Sequence, residues 1–314
     1  MPIKLMNDFP AKEILEREDI FAIDNQRAST QDIRPLKLLI LNLMPNKIDT
    51  ETQLLRLISQ SPLQIDVDFL KIASHQHKNT SIHHLSKFYL DYPDVADRTY
   101  DGMIITGAPV EHLPFHQVTY WDELKVIMDW SQTNVTSVIH ICWGAQAALF
   151  HHYGIDKVAY EKKLFGVFPQ YALASHRLLR GFDDVFEAPQ SRYTGIDEAQ
   201  IDGKIIQVIA HGEGIGATML VSQDNHNIFL LGHLEYDTDS LKNEYLRDRD
   251  KGLGTALPEN YFADDKADGV IRNRWRGHAH LLYHNWLNDV YQLTPYRLAD
   301  IPAYNAQKRL KNHD

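Results

Sequence analysis

The sequence predicts an α/β protein built on a doubly wound, mostly parallel sheet flanked by helices. The run at residues 36–44 is almost continuously apolar, which is typical of a strand buried on both faces. The run at residues 135–141 is apolar and β-branched, and residues 101–111 form another predicted strand that ends in a Gly/Pro loop. Segments with helical spacing follow these runs along the chain. Repeated β-α units of this kind favour a parallel sheet.

The later half of the chain has a different character. Short strand-like runs come close together there, at residues 205–210, 217–222 and 228–232. Their proximity predicts an antiparallel or mixed extension of the same sheet.

The remaining elements follow from apolar spacing and turn residues. One further strand is predicted over residues 63–72, and residues 1–34 form a mixed polar arm that we expect to dock on the body or on a second subunit. Helices are predicted over residues 45–58, 81–90, 120–130, the stretch after Gly144, 237–249 and 273–291.

Composition is typical of a globular, enzyme-sized protein, with 314 residues, 44% hydrophobic and 24% charged. The net charge of −10, from 32 basic and 42 acidic residues, gives no general electrostatic footprint for nucleic acid. A single cysteine excludes an internal disulfide, and no signal-peptide pattern or membrane-spanning apolar run is seen. We therefore expect a cytoplasmic protein with neither a nucleic-acid nor a membrane partner.

That single cysteine, Cys142, stands between a predicted buried strand and a predicted helix. A sharp strand-to-helix turn presents its apex side chain to a cleft, and Gly144 lets the backbone pass close beneath it. The helix N-terminus adds N–H donors and a positive dipole end, which stabilise a thiolate and a developing oxyanion. The pattern predicts a cysteine nucleophile; the alternative is a buried structural cysteine.

A cysteine nucleophile needs a base and usually a group that orients the base. Seventeen histidines make a choice by residue type alone impossible. His233 follows a predicted strand, and Glu235 comes two residues later, so both side chains can reach the edge of the sheet near Cys142. A surface histidine in a turn fits the same spacing.

Several motifs in order resemble the homoserine O-acyltransferases of methionine biosynthesis, and the resemblance runs from residue 1 to about residue 296. They include T-G-A-P, H-I-C-W-G-A-Q, S-R-Y and G-H-L-E-Y-D, and they lie at residues 36–45, 106–109, 140–146, 161–164, 191–193, 232–237 and 260–262. The resemblance implies a class I glutamine amidotransferase-like, flavodoxin-like core. It also implies a domain over residues 35–296, with residues 297–314 left as a solvated tail.

The resemblance implies a Cys-His-Glu triad in which Cys142 accepts the acyl group, His233 is the base and Glu235 is its partner. It further implies substrate contacts by Lys163, Ser191 and Arg247. One departure is Leu234, where the family pattern usually has proline between the histidine and the glutamate. No reacting group is lost by that change.

The residue types predict a two-step transfer. The Cys142 thiolate attacks the thioester of an acyl-coenzyme A, and backbone N–H groups near Trp143 stabilise the oxyanion. His233 then removes the proton from the hydroxyl of L-homoserine, which takes the acyl group. Arg247 suits the amino-acid carboxylate because its planar fork can bind both oxygens, although an exposed helix charge is the commoner fate of such a residue.

The predicted reaction needs no metal or redox cofactor, and acetyl-coenzyme A enters as a substrate. Histidine clusters are weak as metal sites because they lack cysteine companions; they are His75/His77, His83/His84, His151/His152 and His278/His280/His284. A homodimer is left open.

Glu111 decides the predicted acyl donor. It follows the third predicted strand and should face the acyl pocket beside Cys142; in the resembling family, the residue matching this position separates acetyl users from succinyl users. A second carboxylate about 4 Å away costs on the order of 4 kcal/mol at an effective dielectric of about 20, which is roughly a thousandfold discrimination. We therefore predict homoserine O-acetyltransferase activity, unless Glu111 is a solvated loop carboxylate pointing away.

Three other functions stay open at this point. A homoserine O-succinyltransferase differs only in its donor. A glutaminase-type amidotransferase or peptidase would share the elbow and the triad but act on amides. A catalytically silent binding module on the same fold is disfavoured by the intact Cys142, His233 and Glu235.

Overall fold

A computed structural model describes residues 3–4, 22–23, 34–75 and 80–311. Its strands, in chain order, are β1 (Ile3–Lys4), β2 (Ala22–Ile23), β3 (Leu36–Leu41), β4 (Ile65–Leu70), β5 (Tyr89–Leu90), β6 (Tyr100–Ile105), β7 (Val135–Ile141), β8 (Lys157–Ala172), β9 (Val185–Ile196), β10 (Ile206–Gly212), β11 (Gly216–Ser222) and β12 (Asn227–Leu230). Its α-helices are α1 (Lys47–Ile58), α2 (Ile82–Phe88), α3 (Tyr92–Val95), α4 (Trp121–Asn134), α5 (Trp143–Tyr153), α6 (Ser240–Asp250), α7 (Arg276–Leu293) and α8 (Ile301–Lys311). Most of the polar arm predicted over residues 1–34 lies outside the described residues.

Ten of these strands pair into one sheet in the order β5-β4-β3-β6-β7-β12-β11-β10-β8-β9. The pairs from β5 to β12 are parallel. The pairs from β12 to β9 are antiparallel. The predicted fold class is confirmed, together with the mixed extension of the sheet.

Helices cover both faces of the parallel part, as a doubly wound sheet requires. On one face, Ile139 of β7 belongs to a cluster with Leu54 of α1 and Trp286 of α7. On the other face, Val138 belongs to a cluster with Leu124 of α4. All seven residues of β7 are buried, because the strand has neighbours on both sides and helices above and below. Cys142 therefore directly follows a strand that is buried along its whole length.

The long β8–β9 ribbon has no counterpart among the predicted elements. Its register shifts between Ala159 and Leu164, where β8 is irregular. Polar side chains such as Gln190 and Arg192 are fully buried in β9, and Arg192 is satisfied by hydrogen bonds to Gln190, Tyr160 and backbone carbonyls. Because these buried positions are polar, apolar periodicity cannot reveal the strand.

The end of the chain also differs from the prediction. Helix α8 packs on the body, with Ile301 0% and Asn305 2% exposed, so the prediction of a solvated tail is wrong for these residues. The Asn305 amide donates to the carbonyl oxygens of Gln132, Thr133 and Val135. A polar side chain thus docks the helix, which apolar patterning does not detect. The domain boundaries stay predictions.

None of the helices in the described ranges is long and apolar enough to cross a membrane.

Candidate active site

Cys142 occupies a strained turn between β7 and α5. Its φ of 51° and ψ of −118° lie in a region that non-glycine residues rarely adopt, at a cost of about 1–3 kcal/mol. A Cβ on Gly144 would lie 2.6 Å from the carbonyl oxygen of Thr106, so a side chain there would push the elbow away from β6. The expected role of Gly144 is therefore seen in the packing.

The turn places Cys142 at the wall of a cavity of about 440 Å³. Cys142 is only 6% exposed. It is therefore a buried residue that also lines a cavity. Five further predicted residues line the same cavity, namely Glu111, Lys163, Ser191, His233 and Arg247. Residues from distant parts of the chain, from Glu111 to Arg247, are thereby brought around Cys142.

His233 and Glu235 form a buried pair beside this cavity. Nδ1 of His233 lies 2.6 Å from Oε1 of Glu235, and the residues are 4% and 9% exposed. Burial alone lowers the pKa of His233, but the adjacent Cys142 and Glu235, through charge and hydrogen bonding, raise the pKa well above its ordinary value. This arrangement favours the protonated, imidazolium form of His233.

Tyr236 fixes the plane of the same imidazole. Its ring stacks on His233 with a centroid separation of 4.1 Å and an interplanar angle of 14°. Tyr236 also lines the cavity. Stacking on one face and the Glu235 hydrogen bond at one edge together leave the imidazole little freedom to turn.

The three predicted substrate-contact residues converge on Glu244 of α6. Its Oε1 accepts from Lys163 Nζ at 2.8 Å and from Ser191 Oγ at 2.9 Å. Arg247 Nη2 approaches the same oxygen at 3.3 Å. Glu244 therefore joins strands β8 and β9 to helix α6 at the cavity wall.

The guanidinium of Arg247 is also held by Asp248, to which Nε donates at 2.9 Å and Nη2 at 2.7 Å. The Arg247 side chain is 54% exposed. Among the described residues, its Nη1 has no partner. Arg247 is thus an exposed helix charge and a cavity-lining cation at once, with one edge of the fork engaged.

Glu111 lies in the loop after β6 and lines the cavity. Burial raises the pKa of its carboxyl group; the N–H of Tyr193 and the nearby cationic groups of His112, Lys163 and His233 oppose this rise. The carboxylate is therefore partly desolvated in the site. The alternative of a fully solvated loop carboxylate is not what the geometry shows.

Trp143 presents its backbone rather than its ring. As the first residue of α5, it carries one of the N–H groups that have no intrahelical acceptor. Gly107 comes close to this point, since a Cβ on Gly107 would lie 3.2 Å from Cys142 Cβ and 3.6 Å from Trp143 N. The indole ring is fully buried, near Phe115 and Tyr120.

One of the four histidine clusters noted in the sequence lies close to a third potential metal ligand, among the residues that the structure describes. His151 and His152 of α5 have ligand atoms within 4.8 Å of each other and of Asp129. They stand about ten residues, or roughly 15 Å of helix, beyond Cys142. The absence of a metal from the reaction stays a prediction.

The sequence profile of the homoserine O-succinyltransferase family matches residues 2–296. The chain belongs to this family. A homoserine O-acetyltransferase of Geobacillus kaustophilus is 54% identical over 300 residues, covering 94% of this chain and 99% of the relative. A homoserine O-succinyltransferase of Shewanella woodyi is 51% identical over 304 residues, covering 96% and 97%.

The fold of this family member resembles glutamine amidotransferases, as predicted. A glutamine amidotransferase from Thermotoga maritima aligns with a TM-score of 0.55 and 10% identity, covering 82% of this chain and 99% of that one. At this identity the likeness concerns the fold alone.

Several cavity residues of this homoserine O-succinyltransferase family member were not predicted from its sequence, namely His112, Tyr193, Tyr236, Glu244 and Asp248. Four of them left a signal in the sequence. Tyr193 and Tyr236 stand in the S-R-Y and G-H-L-E-Y-D motifs, and Glu244 and Asp248 stand three residues before Arg247 and directly after it on a charged helix. Tyr193 lies on β9, which apolar patterning did not reveal.

Proposed function

We propose that this protein is a homoserine O-acetyltransferase that works through an acetyl-enzyme on Cys142. The observation that carries the proposal is the shared cavity, which is lined by Cys142 at its elbow and by His233 with Glu235 behind it. A thiol, a base and an orienting carboxylate in this order are what covalent acyl transfer requires.

In the first step, the Cys142 sulfur attacks the thioester carbon of acetyl-coenzyme A. In this proposal the backbone N–H of Trp143, at the positive end of α5, donates to the oxyanion that forms. The bond from carbon to the coenzyme sulfur then breaks, and the coenzyme thiolate takes a proton from the His233 imidazolium. The acetyl group is left on Cys142.

In the second step, neutral His233 accepts the proton of the homoserine hydroxyl, and the hydroxyl oxygen attacks the acetyl carbon. The bond from carbon to Cys142 sulfur breaks, which returns the thiolate beside the imidazolium. Glu235 holds Nδ1–H throughout, so that Nε2 is the nitrogen that moves protons. Acetyl-coenzyme A is a substrate here, and no resident cofactor takes part.

Homoserine is assigned to the side of the cavity formed by Lys163, Ser191 and Arg247. The Nη1 group of the Arg247 guanidinium suits its carboxylate, since an N–H of a charged guanidinium makes a strong hydrogen bond to a carboxylate oxygen. The anchoring of all three side chains on Glu244 holds them ready before the substrate enters.

The choice of acetyl over succinyl rests on Glu111, because the relatives named above include users of each donor by name. A succinyl group would bring a second carboxylate toward the partly desolvated Glu111, whose raised pKa reflects that burial. Acetyl carries no charge and is shorter. The site therefore favours acetyl.

Steady-state kinetics with homoserine and each donor test this assignment. We expect kcat/KM for acetyl-coenzyme A to exceed that for succinyl-coenzyme A, by up to roughly a thousandfold. We also expect parallel double-reciprocal lines. A higher kcat/KM for succinyl-coenzyme A would overturn the donor, and intersecting lines would indicate direct transfer in a ternary complex.

Release of ammonia from glutamine, measured in the same preparation, distinguishes an amidotransferase from the proposed acetyltransferase. We expect none above the level of the Cys142→Ala variant. The cytoplasmic location and the oligomeric state stay predictions.

A further inference from the structure

Lys157 forms hydrogen bonds to the backbone of the loop that carries Glu111. Residues 107–114, here called the Glu111 loop, connect β6 to the turn before α4. The ammonium of Lys157 donates to the carbonyl oxygens of Glu111 and Leu113, both at 2.5 Å. It also lies 4.7 Å from the ring centroid of Phe115.

The two accepting carbonyls flank His112, so one side chain bonds the backbone on both sides of the cavity-facing turn. Within the loop, described backbone bonds run only from Val110 N to Ala108 O and from Leu113 N to Val110 O. The loop therefore depends on partners outside itself for its position relative to Cys142.

Those partners come from two neighbouring strands. Lys157 is the first residue of β8 and pairs with Ile196 of β9, which fixes the base of its side chain. From β9 itself, Tyr193 provides a backbone N–H for the Glu111 carboxylate and a ring that lies 4.5 Å from that of His112. Tyr193 thus holds the side chain of Glu111, whereas Lys157 holds its main chain.

The environment of Lys157 fits a fixed anchor better than a free surface cation. Its side chain is partly buried, and burial lowers its pKa, while the nearby charges of Glu111 and Asp156 oppose that fall. Lysine at the surface normally keeps full hydration. Here it exchanges part of that hydration for two carbonyl oxygens and an aromatic ring.

We infer that Lys157 is a positioning residue for donor choice, which it controls by fixing the Glu111 loop so that the Glu111 carboxylate stays in the cavity that Cys142 also lines. The inference rests on the proposed function, since it concerns the same acyl pocket. Lys157 is not among the residues that line the cavity, and it acts through the backbone of Glu111.

The test compares the ratio of kcat/KM for acetyl- and succinyl-coenzyme A in wild type and in Lys157→Met, which keeps length and loses the ammonium. We expect the ratio to fall on the order of tenfold or more, with KM for homoserine unchanged within about twofold. Lys157→Arg, which can donate to both carbonyls, should restore most of the ratio. Lys162→Met, at an exposed position of the same strand, is the matched control and should not change it.

A double variant separates positioning from direct contact. If Lys157 acts through Glu111, then Lys157→Met should change the donor ratio no further in a Glu111→Gly background. If Lys157 instead touched the coenzyme, KM for both donors would rise together and the ratio would stay constant. That result, or an unchanged ratio in Lys157→Met, would overturn the inference.

Thermal unfolding of each variant shows whether it folds. If Lys157→Met does not fold, the same comparison of donor ratios is made with Lys157→Gln. The outcomes also separate the two proposals. A wild-type protein that does not transfer acetyl to homoserine refutes the proposed function. A wild type that does so, with selectivity independent of Lys157, refutes this inference alone.

Discussion

Nδ1 of His233 lies 2.6 Å from Oε1 of Glu235, both residues are buried, and His233 also hydrogen-bonds to Cys142. The two-residue spacing after β12 lets both side chains reach one edge of the sheet. With Nδ1 committed to the carboxylate, Nε2 is the nitrogen available to exchange protons with the thiol and the substrates.

This pairing predicts unequal effects of its two members. His233→Asn should be close to inactive, because it removes the base. Glu235→Gln should lower kcat on the order of 10²–10⁴-fold yet stay measurable, because an amide no longer holds the right tautomer. Glu213→Gln, at an exposed turn, serves as the control in the same steady-state assay. An unchanged turnover in Glu235→Gln would make Glu235 a structural carboxylate.

Glu111→Gly should relax donor choice toward succinyl-coenzyme A. The substitution removes a partly desolvated carboxylate and lengthens the acyl pocket, so the penalty of roughly 4 kcal/mol on a second carboxylate disappears. The measurement is kcat/KM for both donors in wild type and variant. If the ratio stays the same, Glu111 does not face the acyl group.

Donor choice should also depend on pH. Burial raises the pKa of Glu111, so on acidification this carboxyl group becomes neutral at a higher pH than an ordinary glutamate does. The repulsion of a succinyl carboxylate falls with that charge, and the acetyl preference should shrink as pH falls. Glu111→Gln should give a preference that varies less with pH; identical pH profiles for the two proteins would contradict the argument.

Buried His140 should make the fold sensitive to acid. Burial lowers its pKa to about 3, whereas in the unfolded chain it titrates near the ordinary value of about 6.5. Below that pH the unfolded chain binds a proton that the native protein does not, so stability is lost as pH falls from about 6.5. The slope approaches about 1.4 kcal/mol per pH unit for this group.

Urea unfolding of wild type and His140→Gln, at several pH values between about 7 and 4, isolates the contribution of His140 to the pH dependence of stability. We expect a shallower loss of unfolding free energy in the variant. Equal slopes would show that His140 is not held neutral in the native protein.

Asn305→Ala should lower the free energy of unfolding and leave the geometry of the candidate active site unchanged. The side chain donates to three carbonyl oxygens at the end of α4 and the start of β7, and leaving such buried groups unpaired costs about 1–3 kcal/mol. Urea unfolding measures the loss, with Gln307→Ala at an exposed position of the same helix as control. A free energy of unfolding equal to that of the control would show that α8 does not depend on this amide.

The parallel half of the sheet was predictable because β3 is almost entirely apolar, β6 ends in an apolar run and β7 is rich in β-branched residues. The turn at Cys142 was predictable because glycine two residues later permits the close approach to Thr106. These signals are local in the sequence.

The β8–β9 ribbon and helix α8 were not predictable in this way, because they bury polar groups that are satisfied by distant partners. Arg192 donates to the carbonyl oxygens of Thr194 and Ile215. Asn305 donates to those of Thr133 and Val135. The convergence of Lys163, Ser191 and Arg247 on Glu244 likewise depends on the ribbon meeting α6. Such contacts exist only once the chain has folded.

The most direct test of the central claim is the intact mass of the protein after mixing with acetyl-coenzyme A in the absence of homoserine. We predict the addition of one acetyl group, located on the peptide that contains Cys142 and released when homoserine is added. Cys142→Ala should fold and take up no acetyl group, because no other thiol exists in the chain. A wild-type protein that turns over but never carries the acetyl group, or a Cys142→Ala variant that still transfers it, would contradict the account.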